Sequence, residues 1–171
     1  QYKGDATLKW AMAGRSKDKL ASVRDAIGAP ADTPLIVADA SDPASLKAMV
    51  DQTKSVISTV GPYQYYGNEL LAACVASGTD YFDLCGEPLW MREMIDRHEA
   101  AAKASGARIV FSCGFDSVPF ELGAFFVQEE ARRVFGAPAS RVKGRVRDMR
   151  GTLSGGTAAS AKATFDAVAK D

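Results

Sequence analysis

The chain has 171 residues, 47% hydrophobic and 25% charged, with 21 basic side chains against 21 acidic ones. That length and composition suit one domain with a sizeable core, or one domain and part of another. Zero net charge offers no electrostatic footprint for nucleic acid or an anionic membrane, and no apolar run approaches the length of a membrane span.

Leu8 to Ala13 reads as a strand, with Leu8, Trp10 and Met12 on one face. Gly14-Arg15-Ser16 turns the chain, Ser16 caps a helix to about Ile27 with a Leu20, Val23 and Ile27 stripe facing inward, and Gly28 and Pro30 stop it. Leu35 to Ala38 is a short buried strand ending at Asp39. Ser41 or Asp42 caps the next helix, Pro43 fits its first turn, and Leu46, Met49 and Val50 face inward. Ser55 to Val60 is a third strand, stopped by Gly61-Pro62. A loop with Tyr63, Tyr65 and Tyr66 follows. Leu70, Leu71, Cys74 and Val75 then share one face of a helix that Gly78 ends. Tyr81 to Leu84 is the next strand.

A helix from about Leu89 to Ser105 carries Met91, Met94, Ile95, His98 and Ala102 on one stripe. Ile109 to Ser112 is a buried strand opening into Cys113 to Pro119, and a helix with Val118, Leu122, Phe125 and Phe126 facing inward comes next. Strand and helix alternate with no hairpin signal, the signature of an α/β fold with a doubly wound, parallel Rossmann-like sheet. Near Gly136-Ala137-Pro138 the pattern changes. From Arg141 to Arg147 basic residues alternate with Val142, Gly144 and Val146, as in a strand with one wet face, and Ser154-Gly155-Gly156-Thr157 leads into an alanine-rich helix. The expected domains are a dinucleotide-binding unit over 1–138 and the beginning of an α+β substrate domain over 139–171. With no initiator Met and a last helical pattern lacking a stop signal, the chain reads as part of a longer protein.

Ligands of an open parallel sheet bind beyond the carboxyl ends of its strands. No G-x-G-x-x-G stands in the 171 residues, and the first visible strand ends Ala13-Gly14-Arg15. An Arg at the end of a second strand accommodates the 2′-phosphate of NADP, where an acidic residue would bind the ribose hydroxyl of NAD. The 8–13 strand therefore behaves as a second strand, so a gap should separate it from the 55–60 strand. Arg15 is an NADP phosphate ligand or an exposed helix-start arginine; Asp39 contacts the adenine edge or caps a turn. Asp116 and Ser117 precede a helix whose amides suit an anionic substrate group, and capping that helix is their other reading. Glu87 and Asp83 flank a strand end, as ligand groups or as caps. Cys113 reads as a small buried hydrophobe rather than a nucleophile, and the lone His98 as a core or interface residue, which leaves Ser/His/Asp hydrolysis without its base. Three widely spaced cysteines suit a reducing, cytoplasmic compartment and form no metal-ligand pattern.

AGRSKDKL, ADASDPASL, STVGPYQYYG, ACVASGTDYFDLCGE, CGFDSVP and SGGTAAS resemble, in that order, the saccharopine dehydrogenase-like oxidoreductases, nearest the group that includes mycobacterial trans-acting enoyl reductases. The resemblance covers nearly the whole chain, except that the family's N-terminal strand with its G-A-T-G-F-T/S-G turn and much of its second domain fall outside it. It implies a Rossmann domain binding NADP, with NAD as the alternative, and a lipid-like or other small-molecule substrate. It puts Thr59, Val60, Gly61 and Pro62 beside the ribose and nicotinamide, where glycine admits close approach and proline fixes the turn. Tyr63 and Tyr66 are then candidates to orient substrate or supply a proton after hydride transfer, or are structural loop tyrosines. The competing function is a nucleotide-sensing or scaffold protein that keeps the fold without turnover. Homo-oligomerisation stays open.

Overall fold

The computed structural model describes residues 7–115, 117–152 and 154–169. Within them five short strands run β1 Met12–Gly14, β2 Leu35–Val37, β3 Ser55–Ser58, β4 Asp80–Asp83 and β5 Ile109–Val110. Every pairing is parallel, as the alternation of strands and helices requires. The strands fall into two blocks, β1 with β2 and β3-β4-β5 in that order. β1 and β3 do not pair, which is the separation expected if a further strand belongs between them.

Among the described residues seven helices connect and follow the strands: α1 Lys17–Ala26, α2 Pro43–Val50, α3 Tyr63–Tyr66, α4 Asn68–Ser77, α5 Pro88–Ser105, α6 Val118–Phe135 and α7 Gly155–Val168. Their ends follow the sequence punctuation. Ser16 caps α1 by accepting the Lys19 N–H at 3.3 Å, and Asp42 caps α2 by accepting the Ala44 N–H at 3.0 Å, with Pro43 in the first turn. Gly78 ends α4 with φ 68°, a left-handed conformation that favours glycine.

Register explains where the core sits. Val56, Tyr81 and Ile109 form one row across β3-β4-β5, facing the layer of α2, α4 and α5. Leu46, Met49, Val50, Leu71, Cys74, Trp90 and Met94 complete that core. The opposite row is Ile57, Phe82 and Val110, and Ile57 is 74% exposed. In the smaller block Ile36 and Ala38 face the shared core, while Gly14, in register with Val37, faces Leu20 of α1. Helices therefore cover both faces of β1-β2, but only one face of β3-β4-β5 among the described residues.

Three expectations are corrected. Arg141 to Arg147 forms no strand, because alternation makes a ladder only where a neighbouring strand supplies hydrogen bonds, and none does so among the described residues. The stripes Val23/Ile27 of α1 and Val118, Leu122, Phe125 and Phe126 of α6 are exposed, not buried. Cys113 is exposed as well, its thiol against the Val110 and Phe111 carbonyls.

Candidate functional site

The candidate site lies at the carboxyl ends of the strands, where a buried polar framework ties three of them together. Asp83, the last residue of β4, is fully buried. One carboxylate oxygen accepts the backbone N–H groups of Cys85 (3.0 Å) and Ser112 (2.8 Å); the other accepts the Tyr81 hydroxyl at 3.0 Å. Burial pushes this carboxyl above the usual range, against those three donors. Ser112, with φ 57°, donates its hydroxyl to the Cys85 carbonyl at 2.6 Å. The loops after β4 and β5 are thereby fixed to each other.

The turn after β3 is held by the same neighbourhood. Glu87, 2% exposed, accepts the Tyr63 N–H on Oε1 at 2.8 Å and the Gln64 N–H on Oε2 at 3.0 Å. One carboxylate from the start of α5 thus satisfies two orphan amides opening α3. Tyr63 is buried, its ring 5.5 Å from that of Trp90 and its hydroxyl donating to the Ser58 carbonyl at 3.1 Å. Burial pushes its phenol up to about 12. Trp90 in turn donates its indole N–H to Asn68 at 2.7 Å. Gly67 sits beneath that ring: an added Cβ would lie 2.5 Å from Trp90 Cζ2 and 2.8 Å from the Tyr63 carbonyl oxygen.

Of the sequence-predicted site residues, Thr59 and Val60 are exposed beside half-buried Gly61 and buried Pro62, with the Gly61–Pro62 bond cis. The expected tyrosine loop is the single helical turn α3, and it separates its tyrosines: Tyr63 packs inward while Tyr66 stands 48% exposed. Arg15 is exposed at the end of β1, close enough to Asp39 at the end of β2 for its charge to help lower that carboxyl. The larger causes of that lowering are the Ser41 N–H and hydroxyl, donated to Asp39 Oδ1 at 2.9 and 2.7 Å. Asp39 is thus engaged as a turn cap. Arg15 has no ion pair or side-chain hydrogen bond among the described residues, so its guanidinium is available to an anion; together with the glycine at position 61 this chemistry fits a phosphorylated dinucleotide.

Ser117 starts α6 but caps no amide with its side chain; its hydroxyl donates to the Ser112 and Gly114 carbonyls. Asp116 lies outside the described residues. His98 is half-buried and lines a mainly apolar cavity of about 370 Å³ with Leu71, Met94, Ile95 and Phe111. No cluster of three or more metal-ligating side chains occurs among the described residues, nor any helix there long and apolar enough to cross a membrane.

Sequence reasoning passed over Trp90 and the bidentate use of Glu87. Only the proximity of Gly86-Glu87-Pro88 to a strand end hinted at either.

The saccharopine dehydrogenase NADP-binding-domain model matches residues 2–110. A Mycobacterium tuberculosis protein is 47% identical over 158 residues, which are 92% of this chain and 37% of that protein. The trans-acting enoyl reductases of Mycobacterium leprae and Mycobacterium ulcerans are 51% identical over 122 residues and 47% over 128. Those spans are 71% and 74% of this chain, but 29% and 31% of the two relatives. The chain therefore spans roughly a third of the length of the curated relatives it matches. Apo saccharopine dehydrogenase (L-Glu forming) from Saccharomyces cerevisiae shares the fold with a TM-score of 0.58 at 18% identity, over 72% of this chain and 25% of that one. A matching family model over most of the chain, on an all-parallel sheet whose strand ends hold the framework just described, makes this chain a member of the saccharopine dehydrogenase NADP-binding-domain family.

Proposed function

We propose that this chain is the dinucleotide-binding part of an NADP-dependent oxidoreductase that reduces an enoyl group on a lipid-like substrate. The observation that carries the cofactor choice is Arg15, a guanidinium at the end of β1 without an ion pair among the described residues, in a family defined by NADP binding. The likeness to the trans-acting enoyl reductases of Mycobacterium leprae and Mycobacterium ulcerans supports the enoyl substrate.

In this reading Arg15 holds the 2′-phosphate and Asp39 shapes the adenine edge. Thr59 to Pro62 form the floor for the ribose and nicotinamide. The cofactor supplies the hydride. Tyr63, with its hydroxyl committed to Ser58, orients the turn, and Tyr66, with an open phenol, protonates the product. Asp116 and Ser117 are assigned to the substrate in this reading. We place the domain boundary near residue 138, and the rest of the substrate site in the second domain. The setting is cytoplasmic, in keeping with three free thiols.

Titration of NADPH and NADH against the complete gene product tests the cofactor choice. Arg15→Asp weakens NADPH binding far more than NADH binding, since a charge-assisted phosphate contact becomes a repulsion. Equal losses reject the assignment. Tyr66→Phe lowers turnover by about 10²–10⁴-fold with little change in cofactor affinity.

A further inference from the structure

Helix α7 comes from beyond the proposed domain boundary, yet it is seated on the turn after β3. Ser160 Oγ lies 3.3 Å from where a Cβ on Gly61 would be, closer than the Tyr63 ring at 3.4 Å. Thr164, one helical turn on, meets Gln64, Glu87, Leu89 and Trp90 around a small void, and Ala163 between them is buried. Positions 160, 163 and 164 share one helix face, so α7 presents a small-residue surface to the turn.

The two hydroxyls on that face differ. Thr164 donates to the Ser160 carbonyl at 3.0 Å, the usual resting bond of a hydroxyl inside a helix. Ser22 and Ser45 likewise donate to backbone carbonyls. Ser160 Oγ, half-buried over Gly61, has no hydrogen-bond partner among the described residues. A hydroxyl that makes no bond within its own helix, and that lies against the Gly61 turn where the lack of a side chain permits the close contact, is placed to bond a ligand at that turn.

We propose that Ser160 is a ligand-binding residue that hydrogen-bonds the carboxamide of the nicotinamide. This rests on the reading that Thr59 to Pro62 cradle that ring. A carboxamide offers both an acceptor oxygen and N–H donors, and a hydroxyl serves either. Arg15 then grips the phosphate end of the dinucleotide from β1, while Ser160 grips the nicotinamide end from the second domain.

The test uses the complete gene product and two ligands, NADPH and 2′-phospho-ADP-ribose, which lacks the nicotinamide. Ser160→Ala raises the Kd for NADPH by about 5- to 10-fold, the worth of one neutral hydrogen bond, and leaves 2′-phospho-ADP-ribose binding unchanged. Ser160→Thr, which keeps the hydroxyl, restores part of the NADPH affinity. An equal loss for both ligands assigns Ser160 to packing and overturns the proposal. Unchanged binding of both overturns it too. Wild-type protein that binds NADPH and loses it on Arg15→Asp leaves the cofactor reading standing in either case; wild type that binds neither ligand brings down both.

Discussion

The two strand blocks obey the same strand–helix grammar and end up in different physical states. In β3-β4-β5, a buried carboxylate at Asp83 collects three donors, Glu87 satisfies two amides of a distant turn, and Tyr63, Trp90 and Gly67 interlock. In β1-β2, α1 buries none of its residues, Val23 and Ile27 face water, and the charges are local, as in the Arg24–Asp25 pair. Amphipathic pattern is common to both. What separates them is whether polar groups from several strands converge, since each buried donor or acceptor in such a cluster costs free energy when its partner is removed.

That contrast can be broken by mutation, read as the urea midpoint of the chain. Asp83→Leu strands the Cys85 and Ser112 amides and the Tyr81 hydroxyl together, and should cost about 3–5 kcal/mol. A loss below about 1 kcal/mol would show that water readily replaces the carboxylate. Gly67→Ala forces a methyl against Trp90 and the Tyr63 carbonyl and should cost about 1–3 kcal/mol; Trp90→Ala in the same chain should relieve part of that clash, giving a non-additive cycle. Tyr63→Phe leaves only the Ser58 carbonyl unbonded, at about 1 kcal/mol.

Acid sharpens the comparison by sign. Asp80, which accepts the Arg108 N–H and guanidinium, has its carboxyl lowered chiefly by the Arg108 side-chain hydrogen bonds. Its stabilisation is present above the unfolded carboxylate value of about 3.9 and is lost as pH falls through the lower folded value. Asp83, raised by burial, works the other way, stabilising least once pH climbs past its folded value. Asp80→Asn should therefore flatten the acid limb of the urea midpoint against pH, and an unchanged limb would discount the pair. Smallest of all, Val23→Lys in α1 should move stability by no more than about 0.5 kcal/mol, because its site is already wet.

Much of this fold is legible in the sequence because its signals are local. Ser16, Asp42-Pro43, Gly78 and Gly106 end helices through bonds within a few residues, and the Leu70, Leu71, Cys74 and Val75 stripe is buried as its spacing says. Periodicity names the face that wants burial but not what covers it, which is why Phe125 and Phe126 of α6 were expected inside and stand in water. The site was legible as an edge, from the Gly61-Pro62 stop and the strand ends. The different burial of Tyr63 and Tyr66 was not, since it depends on Ser58, Trp90 and Glu87 closing around one ring and not the other. Nor was Ser160, which reaches Gly61 from 99 positions away along the sequence (160 − 61).

Glu87 also sets an order of events during synthesis and folding. It is made 24 residues after Tyr63, and it reaches that amide only once β4 has been laid beside β3. Until then the Tyr63 and Gln64 amides lack this partner, and the turn has only its local bonds from Tyr65, Tyr66 and Gly67. The ribosome must therefore deliver the whole of β3, α4 and β4, and the four residues after them, before Glu87 can close this turn. The turn after β3 is thus completed late in its own strand–helix–strand unit, by a residue that belongs to the next one.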